Sequence, residues 1–307
     1  MKPEIVDYDR YDYDYTQYWK NRKYENNAEH IALKSLLKGE SGEWFIDIGG
    51  SYGRLADVYS NRFHHCVILD YSYKTLLKNK ELIEEKFPNC ILIAANAYKM
   101  PFKENVFNGG LMVRVLHHIE RQEEFVKELA KILKKDAVYI QEYANKIHLK
   151  ARIRAFFKKD DDFNSLKPYQ QPTINLEGAK DDGVQFLNYH PKYINKLFEQ
   201  EGFKIEEKQG CSFLRIPLLK RMLGTKILTV FERYFQKFLA KSNIPPSIFV
   251  KAKLGGIDDK CEFKELIDII ACPNCKGSLS LNKDMYYCQT CDKKYFKKNG
   301  VWDFRIE

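Results

Sequence analysis

From Glu43 onward, short and almost wholly apolar runs alternate with longer amphipathic stretches. Trp44–Ile48, Cys66–Asp70, Cys90–Ala95, Gly110–Arg114 and Ala137–Glu142 have the length and flanks of buried strands. Arg54–Arg62, Ser72–Lys86 and Glu120–Lys134 carry helical periodicity between them. Strands without a polar face, alternating with helices, predict a parallel sheet covered on both sides. Beyond them, Ile147–Lys158 reads as a basic helix inside a long polar stretch, 144–188, that holds Pro168, Pro172 and Asp181-Asp182. His190-Pro191 opens another helix, since proline suits a first turn, and it runs to about Glu201. Phe203–Lys208 and Ser247–Lys253 complete a set of seven strands, with the amphipathic helix Pro217–Ala240 between them. The expectation is an α/β fold with a mostly parallel seven-stranded sheet and helices on both faces. Ligands on such sheets bind at the carboxyl ends of the strands.

The first of those ends reads Asp47-Ile48-Gly49-Gly50-Ser51-Tyr52-Gly53-Arg54. Glycines between a strand and a helix let the backbone pass close to a ligand, and the helix start offers unpaired N–H groups. A dinucleotide fingerprint counted from Gly49 needs glycines where the chain has Ser51 and Arg54. The acid before the loop and the glycine at 53 follow D-x-G-x-G-x-G instead. This segment resembles motif I of the class I S-adenosylmethionine (SAM) dependent methyltransferases, and the likeness continues in order along the chain. Asp70, followed by Tyr71, stands where that family places the acid that grips both ribose hydroxyls. Asn96-Ala97 with Met100-Pro101-Phe102 resembles the adenine loop G-D-A-x-x-L-P-F. Val113–Ile119 resembles the stretch after the fourth strand, and Phe125–Ala137 the helix and turn before the fifth. The branch it resembles is the ubiquinone/menaquinone-biosynthesis type, over about residues 40–145 and more weakly to 255. The resemblance implies a Rossmann-like fold and a SAM site made by Asp47, Gly49, Gly50, Gly53, Asp70, Tyr71, Asn96 and Ala97. Two positions depart from it: Ser51 replaces the middle glycine, and Asn96 replaces an Asp, keeping an amide oxygen but no charge.

A sulfonium is already an activated leaving group, so the protein's task is in-line positioning, with a base needed only where the acceptor must lose a proton. Arg114, after the fourth strand, either binds an acidic acceptor or the SAM carboxylate, or pairs with a neighbouring acid. His117 is a candidate catalytic group beside His118, and packing or capping is its competing role. Glu142 closes the fifth strand as a base or acceptor anchor, or as a surface acid paired to Lys146. Tyr189 and His190 reach the same cleft or cap a helix. Tyr11, Tyr13, Tyr15, Tyr18, Trp19 and Tyr24, with Arg22, resemble the lid that many family members fold over SAM; packing as an N-terminal arm is the alternative. Residues 1–40 are thus taken as lid and helix, and 41–255 as the methyltransferase domain.

The eight cysteines split into two groups. Cys66, Cys90, Cys211 and Cys261 stand alone. Cys272, Cys275, Cys288 and Cys291 form C-x2-C-x12-C-x2-C, two knuckles that supply four thiolates for a tetrahedral structural Zn2+. After a Gly255-Gly256 linker, residues 262–307 are therefore expected to form a zinc ribbon, a module small enough to need a metal staple. Leu266–Pro273 and Asn299–Trp302 resemble the small zinc-ribbon activator that partners tRNA, rRNA and release-factor methyltransferases.

Charge sharpens the acceptor question. The net charge of +9 is concentrated between Arg215 and Lys253, where nine basic residues face one acid, Glu232. Such a stretch attracts an anionic partner or membrane surface, or is a solvated helix face. The apolar stripe of 217–240 covers a sheet, docks on a lipid surface or guards a hydrophobic acceptor pocket; covering the sheet is the expectation. Two acceptor classes stay open: a small or lipophilic molecule, or RNA or protein recruited by the ribbon. A SAM-binding homologue without turnover is a further reading. The chain has no apolar run long enough to span a membrane and no secretory leader at Met1-Lys2-Pro3-Glu4, so a cytoplasmic protein, with at most peripheral membrane contact, is expected.

Overall fold

A computed structural model of the protein describes residues 9, 15–158, 162–170, 186–256 and 262–305. Tyr11, Tyr13, Pro172, Asp181, Asp182 and Cys261 lie outside them. The parallel strands are β1 (Gly42–Ile48), β2 (Phe63–Asp70), β3 (Cys90–Ala94), β4 (Phe107–Met112) and β5 (Leu133–Ala144). Between and around them run α1 (Tyr15–Lys20), α2 (Lys23–Leu36), α3 (Ala56–Tyr59), α4 (Tyr73–Lys86) and α5 (Gln122–Ile132). There follow α6 (Leu149–Lys158), a short hairpin of β6 (Tyr169–Gln170) with β7 (Leu187–Asn188), α7 (Pro191–Gln200), β8 (Phe203–Cys211), α8 (Pro217–Phe238) and β9 (Ser247–Leu254). The cysteine segment holds α9 (Leu266–Ile269) and β10 (Ser280–Asn282), β11 (Met285–Cys288), β12 (Lys293–Lys298) and β13 (Val301–Asp303).

Alternation along each parallel strand divides the core in two. Trp44, Ile46 and Ile48 of β1 face the layer built by α5 and α7, whose Phe125, Leu129, Ile194 and Phe198 are buried. Phe45 faces the opposite layer with Ala28, Leu33 and Leu36 of α2 and Leu76 and Ile83 of α4. Helix starts follow local chemistry. The Ser72 hydroxyl accepts from Thr75 N at 3.1 Å to cap α4, and the His190 imidazole accepts from Lys192 N to cap α7, with Pro191 in the first turn. Of the two roles open to His190, capping is the one present.

Three expectations need correction. The sheet has eleven strands, in the order β10-β11-β12-β13-β3-β2-β1-β4-β5-β9-β8, rather than seven. The seven expected strands are there, but β13 pairs in parallel with β3 (Trp302 with Ile93, Asp303 with Ala94) and brings the cysteine segment's strands into the same sheet. An open edge of unpaired backbone groups is satisfied by any compatible strand. The same segment also bonds at Ala271 N to Pro101 O (3.0 Å) and at Phe263 O to Trp44 Nε1 (2.7 Å). Second, the helix expected over 54–62 is a single turn, Ala56–Tyr59. Third, α8 does not lay its apolar stripe on the sheet: it buries Leu228, Glu232 and Gln236 and exposes most of its large apolar side chains. Gly224, at φ +68°, breaks it into two pieces.

Candidate functional site

The sequence-predicted residues gather where the parallel strands end. Gly49 N and Gly50 N both donate to Leu69 O, at 2.7 and 3.2 Å, which ties the loop after β1 to the tip of β2. Gly49 sits at φ +74°, and a Cβ there would lie 2.3 Å from Val115 Cγ2. At Gly50 a Cβ would meet the Asp47 carboxyl carbon at 2.8 Å. The loop's own packing thus requires both glycines. Ser51 adopts φ +51° without being glycine, a strained backbone of the kind found at binding loops. Because α3 is so short, the loop's amides are used nearby, Gly53 N donating to Gly50 O at 2.9 Å, rather than aimed along a helix start as expected.

Asp70 closes β2 and receives two backbone donors, Ser51 N at 2.9 Å and Ser72 N at 2.8 Å, one on each carboxylate oxygen. Burial pushes its pKa up to about 6 against the pull of those N–H groups. Each oxygen keeps a second lone pair for a hydroxyl donor. Asp47 lies deeper, only 3% exposed beneath the loop, and accepts from Tyr59 Oη at 2.9 Å. Burial raises it to about 7. The Asn96 Oδ1 accepts from Tyr98 N at 2.8 Å, so Asn96 and the half-buried Ala97 form a tight turn after β3. The Tyr71 ring lies 5.9 Å from the Arg305 guanidinium, and Arg305 also pairs with Asp303 and, at 2.8 Å, with Asp9. Arg22 precedes α2 with its guanidinium 4.0 Å from the Tyr18 ring centre.

On the other side of the strand ends, Arg114 takes φ +59° just past β4. Its Nε donates to Glu29 at 2.6 Å, and its Nη2 lies against the same carboxylate without a hydrogen bond of its own. Burial opposes the Arg114 charge, but Glu29 and Glu142 outweigh it and hold the group protonated. Of the alternatives at Arg114, the ion pair exists. Glu142 is not a surface acid and does not pair with Lys146, whose ammonium donates to Ser165 O and Lys167 O. It is buried, accepts from Ser247 Oγ at 2.5 Å and Arg114 N at 2.9 Å, and burial raises its pKa. His117 stacks on Phe186 with ring centres 5.2 Å apart; burial, reinforced by His118 and Arg114, keeps it well below its ordinary value and neutral. Tyr189 donates to Leu116 O at 2.8 Å and is fully buried.

Residues 46–140 match the methyltransferase domain family. The chain carries a methyltransferase domain. It is 26% identical over 241 residues to an uncharacterized protein of Methanocaldococcus jannaschii, covering 76% of this chain and 88% of that one. A putative SAM-dependent methyltransferase from Listeria monocytogenes superposes with a TM-score of 0.53 at 14% identity, over 77% of this chain and 100% of its own. The complex between the Haloferax volcanii Trm112 methyltransferase activator and a putative methyltransferase superposes at 0.52 with 12% identity, over 84% of this chain and 100% of the matched one. The enzyme is a methyltransferase of Rossmann-like α/β fold.

Sequence reasoning missed the methyltransferase's central buried acid. Glu29, on α2, is fully buried and accepts from Arg54 Nη2 and Arg114 Nε, both at 2.6 Å; the two guanidiniums outweigh burial and hold its pKa below the ordinary value. Trp19 stacks beside them, 3.7 Å from the Arg54 guanidinium and 5.4 Å from that of Arg114. A signal existed: Glu25 and Glu29 fall on the same helical face as the apolar Ala28, Ala32, Leu33 and Leu36. The basic stretch 215–253 is also partly spent, with Arg215 and Lys220 on Glu25 and Lys251 and Lys253 on Glu40.

The four paired cysteines come together, their sulfurs all within 4.8 Å of one another. Neighbouring pairs lie 3.4–3.7 Å apart, close to the roughly 3.8 Å edge of a tetrahedron with zinc–sulfur bonds of about 2.3 Å. The donor set fits zinc. No helix among the described residues is long and apolar enough to cross a membrane.

Proposed function

We infer that the enzyme transfers the SAM methyl group to a small or lipophilic acceptor held at the carboxyl edge of its sheet. The reading is carried by Asp70, a carboxylate at the tip of β2 that is locked by Ser51 N and Ser72 N beside the glycine loop and retains free lone pairs. SAM, when bound, supplies a methyl group already activated on a cationic sulfur. The chain's residues then bind and orient. Asp70 would accept from the ribose hydroxyls, Asn96 and Ala97 would border the adenine, and Gly49, Gly50 and Gly53 shape the loop that Asp47 supports from beneath. Tyr71 and Arg22 flank this end, with the 1–40 segment as the lid.

Arg114, His117 and Glu142 serve the acceptor. The Arg114 guanidinium is ion-paired with Glu29 at the strand ends, where an acidic group on the acceptor or the SAM carboxylate would share its charge. His117 is kept neutral, so it can orient an acceptor O–H or N–H by accepting a hydrogen bond, while burial beside Arg114 disfavours its taking the proton. Glu142 fixes Arg114 through its backbone N–H and is a positioning residue in this scheme. Cys272, Cys275, Cys288 and Cys291 hold a structural Zn2+, and segment 262–307 acts as a ribbon that braces the 41–255 catalytic unit through β3. Four thiolates kept for a metal support a cytoplasmic setting.

A second reading, methylation of RNA or protein recruited by the ribbon, draws support from the ribbon's place beside β3 and from the neighbour that is an activator–methyltransferase complex. Incubating the enzyme with methyl-labelled SAM and a cell extract, then separating solvent-extractable material, RNA and protein, decides between them. Label in the extractable fraction supports the first reading, and label confined to RNA or protein the second. Folded enzyme that binds SAM in calorimetry but labels nothing would point to a binding protein without turnover.

A further inference from the structure

Helices α6 and α8 are mounted the wrong way round for a globular core. In α8 the residues facing the protein are Leu228, Glu232 and Gln236, one turn apart. Glu232 is fully buried and accepts from Ser212 N (2.7 Å), Phe213 N (3.1 Å), Gln236 Nε2 (3.0 Å) and the Tyr24 hydroxyl. Hydrogen bonds therefore attach this helix, and its apolar side is left outward. Ile227, Phe231, Tyr234 and Phe238 form a stripe at helical spacing, all 47–71% exposed. At 100° per residue this stripe points roughly 130° away from the buried one. Lys226, Arg233 and Lys237 line one of its flanks.

The same arrangement recurs in α6. Only Ala151 is buried, while Leu149, Ile153, Phe156 and Phe157 face out, the two phenylalanines 81% and 79% exposed. Lys150, Arg152, Arg154 and Lys158 lie among them. The two helices carry nine basic residues, and their single acid, Glu232, is the buried one. They also leave the sheet at one edge: α6 follows the carboxyl end of β5, and α8 follows β8, whose Cys211 pairs with Ser247 opposite Ala144 of β5. Leu149 N donates to Ile244 O at 2.9 Å, joining the start of α6 to the segment after α8. That edge is the one that bears Arg114 and Glu142.

We propose that α6 and α8 form a membrane-docking face, which inserts its aromatic and aliphatic side chains into an anionic lipid surface and places the mouth of the methyl-transfer cleft against the bilayer. Apolar side chains of this size, set among basic residues of the same two helices, match the boundary between acyl chains and anionic headgroups. A nucleic acid would use the positive charge but gain nothing from Ile153, Ile227 or Leu149, which have no ring to stack on a base. The face also suits a lipophilic acceptor, which would reach the cleft without crossing water. The docking itself does not depend on that acceptor being right.

The test is co-sedimentation of the full chain with phosphatidylcholine vesicles, with and without roughly one third phosphatidylglycerol. The expected result is strong sedimentation with the anionic vesicles, weak sedimentation with the neutral ones, and loss of binding in high salt. Phe156→Ser with Phe157→Ser should weaken partitioning about ten- to a hundredfold, since each loses its buried ring. Arg233→Gln with Lys237→Gln should weaken it about fivefold per charge at low salt. All four positions are exposed, so an unchanged thermal midpoint certifies the fold of each variant. The proposal is overturned if the folded wild type ignores both vesicles, or if the phenylalanine variant binds as well as wild type. It is equally overturned if these variants instead abolish self-association or RNA binding while vesicles are never bound.

Discussion

Replacing Asp70 with asparagine removes a charge while keeping its shape, and so tests the cofactor assignment directly. Burial pushes the Asp70 pKa from an ordinary 3.8 up to about 6, so protonation begins just below neutral pH. If the ionised carboxylate holds the ribose hydroxyls, SAM affinity must follow its ionised fraction. That fraction falls about tenfold between about pH 7 and pH 5, equivalent to about 1.4 kcal/mol of binding energy. Asp47, pushed up to about 7, titrates in the same window, and the Asp70→Asn variant separates the two. Calorimetric titration of SAM should show the tenfold weakening in the wild type. The variant should bind about 1–3 kcal/mol more weakly at neutral pH, with that pH slope gone. Stability should move the other way. An acid whose folded pKa is raised costs stability when ionised, a cost fully present above about 6 and absent below 3.8. The asparagine variant removes that cost, but its amide NH2 cannot accept from one of the two backbone N–H groups that Asp70 holds, a loss of about 1–3 kcal/mol, so its urea resistance at neutral pH should lie near or below that of the wild type. Equal SAM affinity at both pH values in the wild type, or an unchanged slope in the variant, would refute the role of Asp70.

Three further outcomes are expected. Glu29→Gln leaves the Arg54 and Arg114 guanidiniums without their buried counter-charge and should cost about 3–5 kcal/mol in urea denaturation at neutral pH. Because the folded pKa of Glu29 lies below 4.5, that contribution is present above 4.5 and fades as the pH falls through the folded value, so the gap between wild type and variant should close in acid; a neutral-pH gap under about 1 kcal/mol would contradict the buried ion pair. Gly49→Ala forces a Cβ to within 2.3 Å of Val115 at φ +74° and should cost about 2–4 kcal/mol by the same measurement, with SAM affinity lost alongside. Metal analysis should find about one zinc per chain, and Cys288→Ser should remove it. Since β13 pairs with β3, the variant should lower a single thermal transition of the whole chain; a separate early transition with the main one unmoved would show the ribbon to be independent.

Much of this protein is written in local patterns. β1 to β5 and β9 were legible from their apolar runs, because a strand buried on both faces has no other composition open to it, whereas the edge strand β8 leaves Lys204, Glu206 and Glu207 exposed and was legible only as a short strand between helices. The glycine loop, Asp70 and Asn96 could be assigned to strand ends for the same reason: where a strand stops, the next residues must lie on the ligand edge. The four-cysteine cluster was legible from spacing, since a two-residue gap is what a knuckle around one ion requires.

What tertiary structure decided is partnership. Periodicity states which residues of α8 share a face, but not that Glu232 would find four donors inside and so turn Phe231 and Phe238 outward. Glu29 reaches Arg114 across 85 residues, a pairing that no local pattern encodes. The four cysteine-segment strands extend the sheet only because β3 is left with an open edge in space. The sequence by itself therefore determined most of the elements, the loop and the four-cysteine set. Long-range packing chose which charges neutralise one another, which edge the ribbon closes and which apolar face is left for a partner, because each depends on surfaces that meet only after the chain has folded.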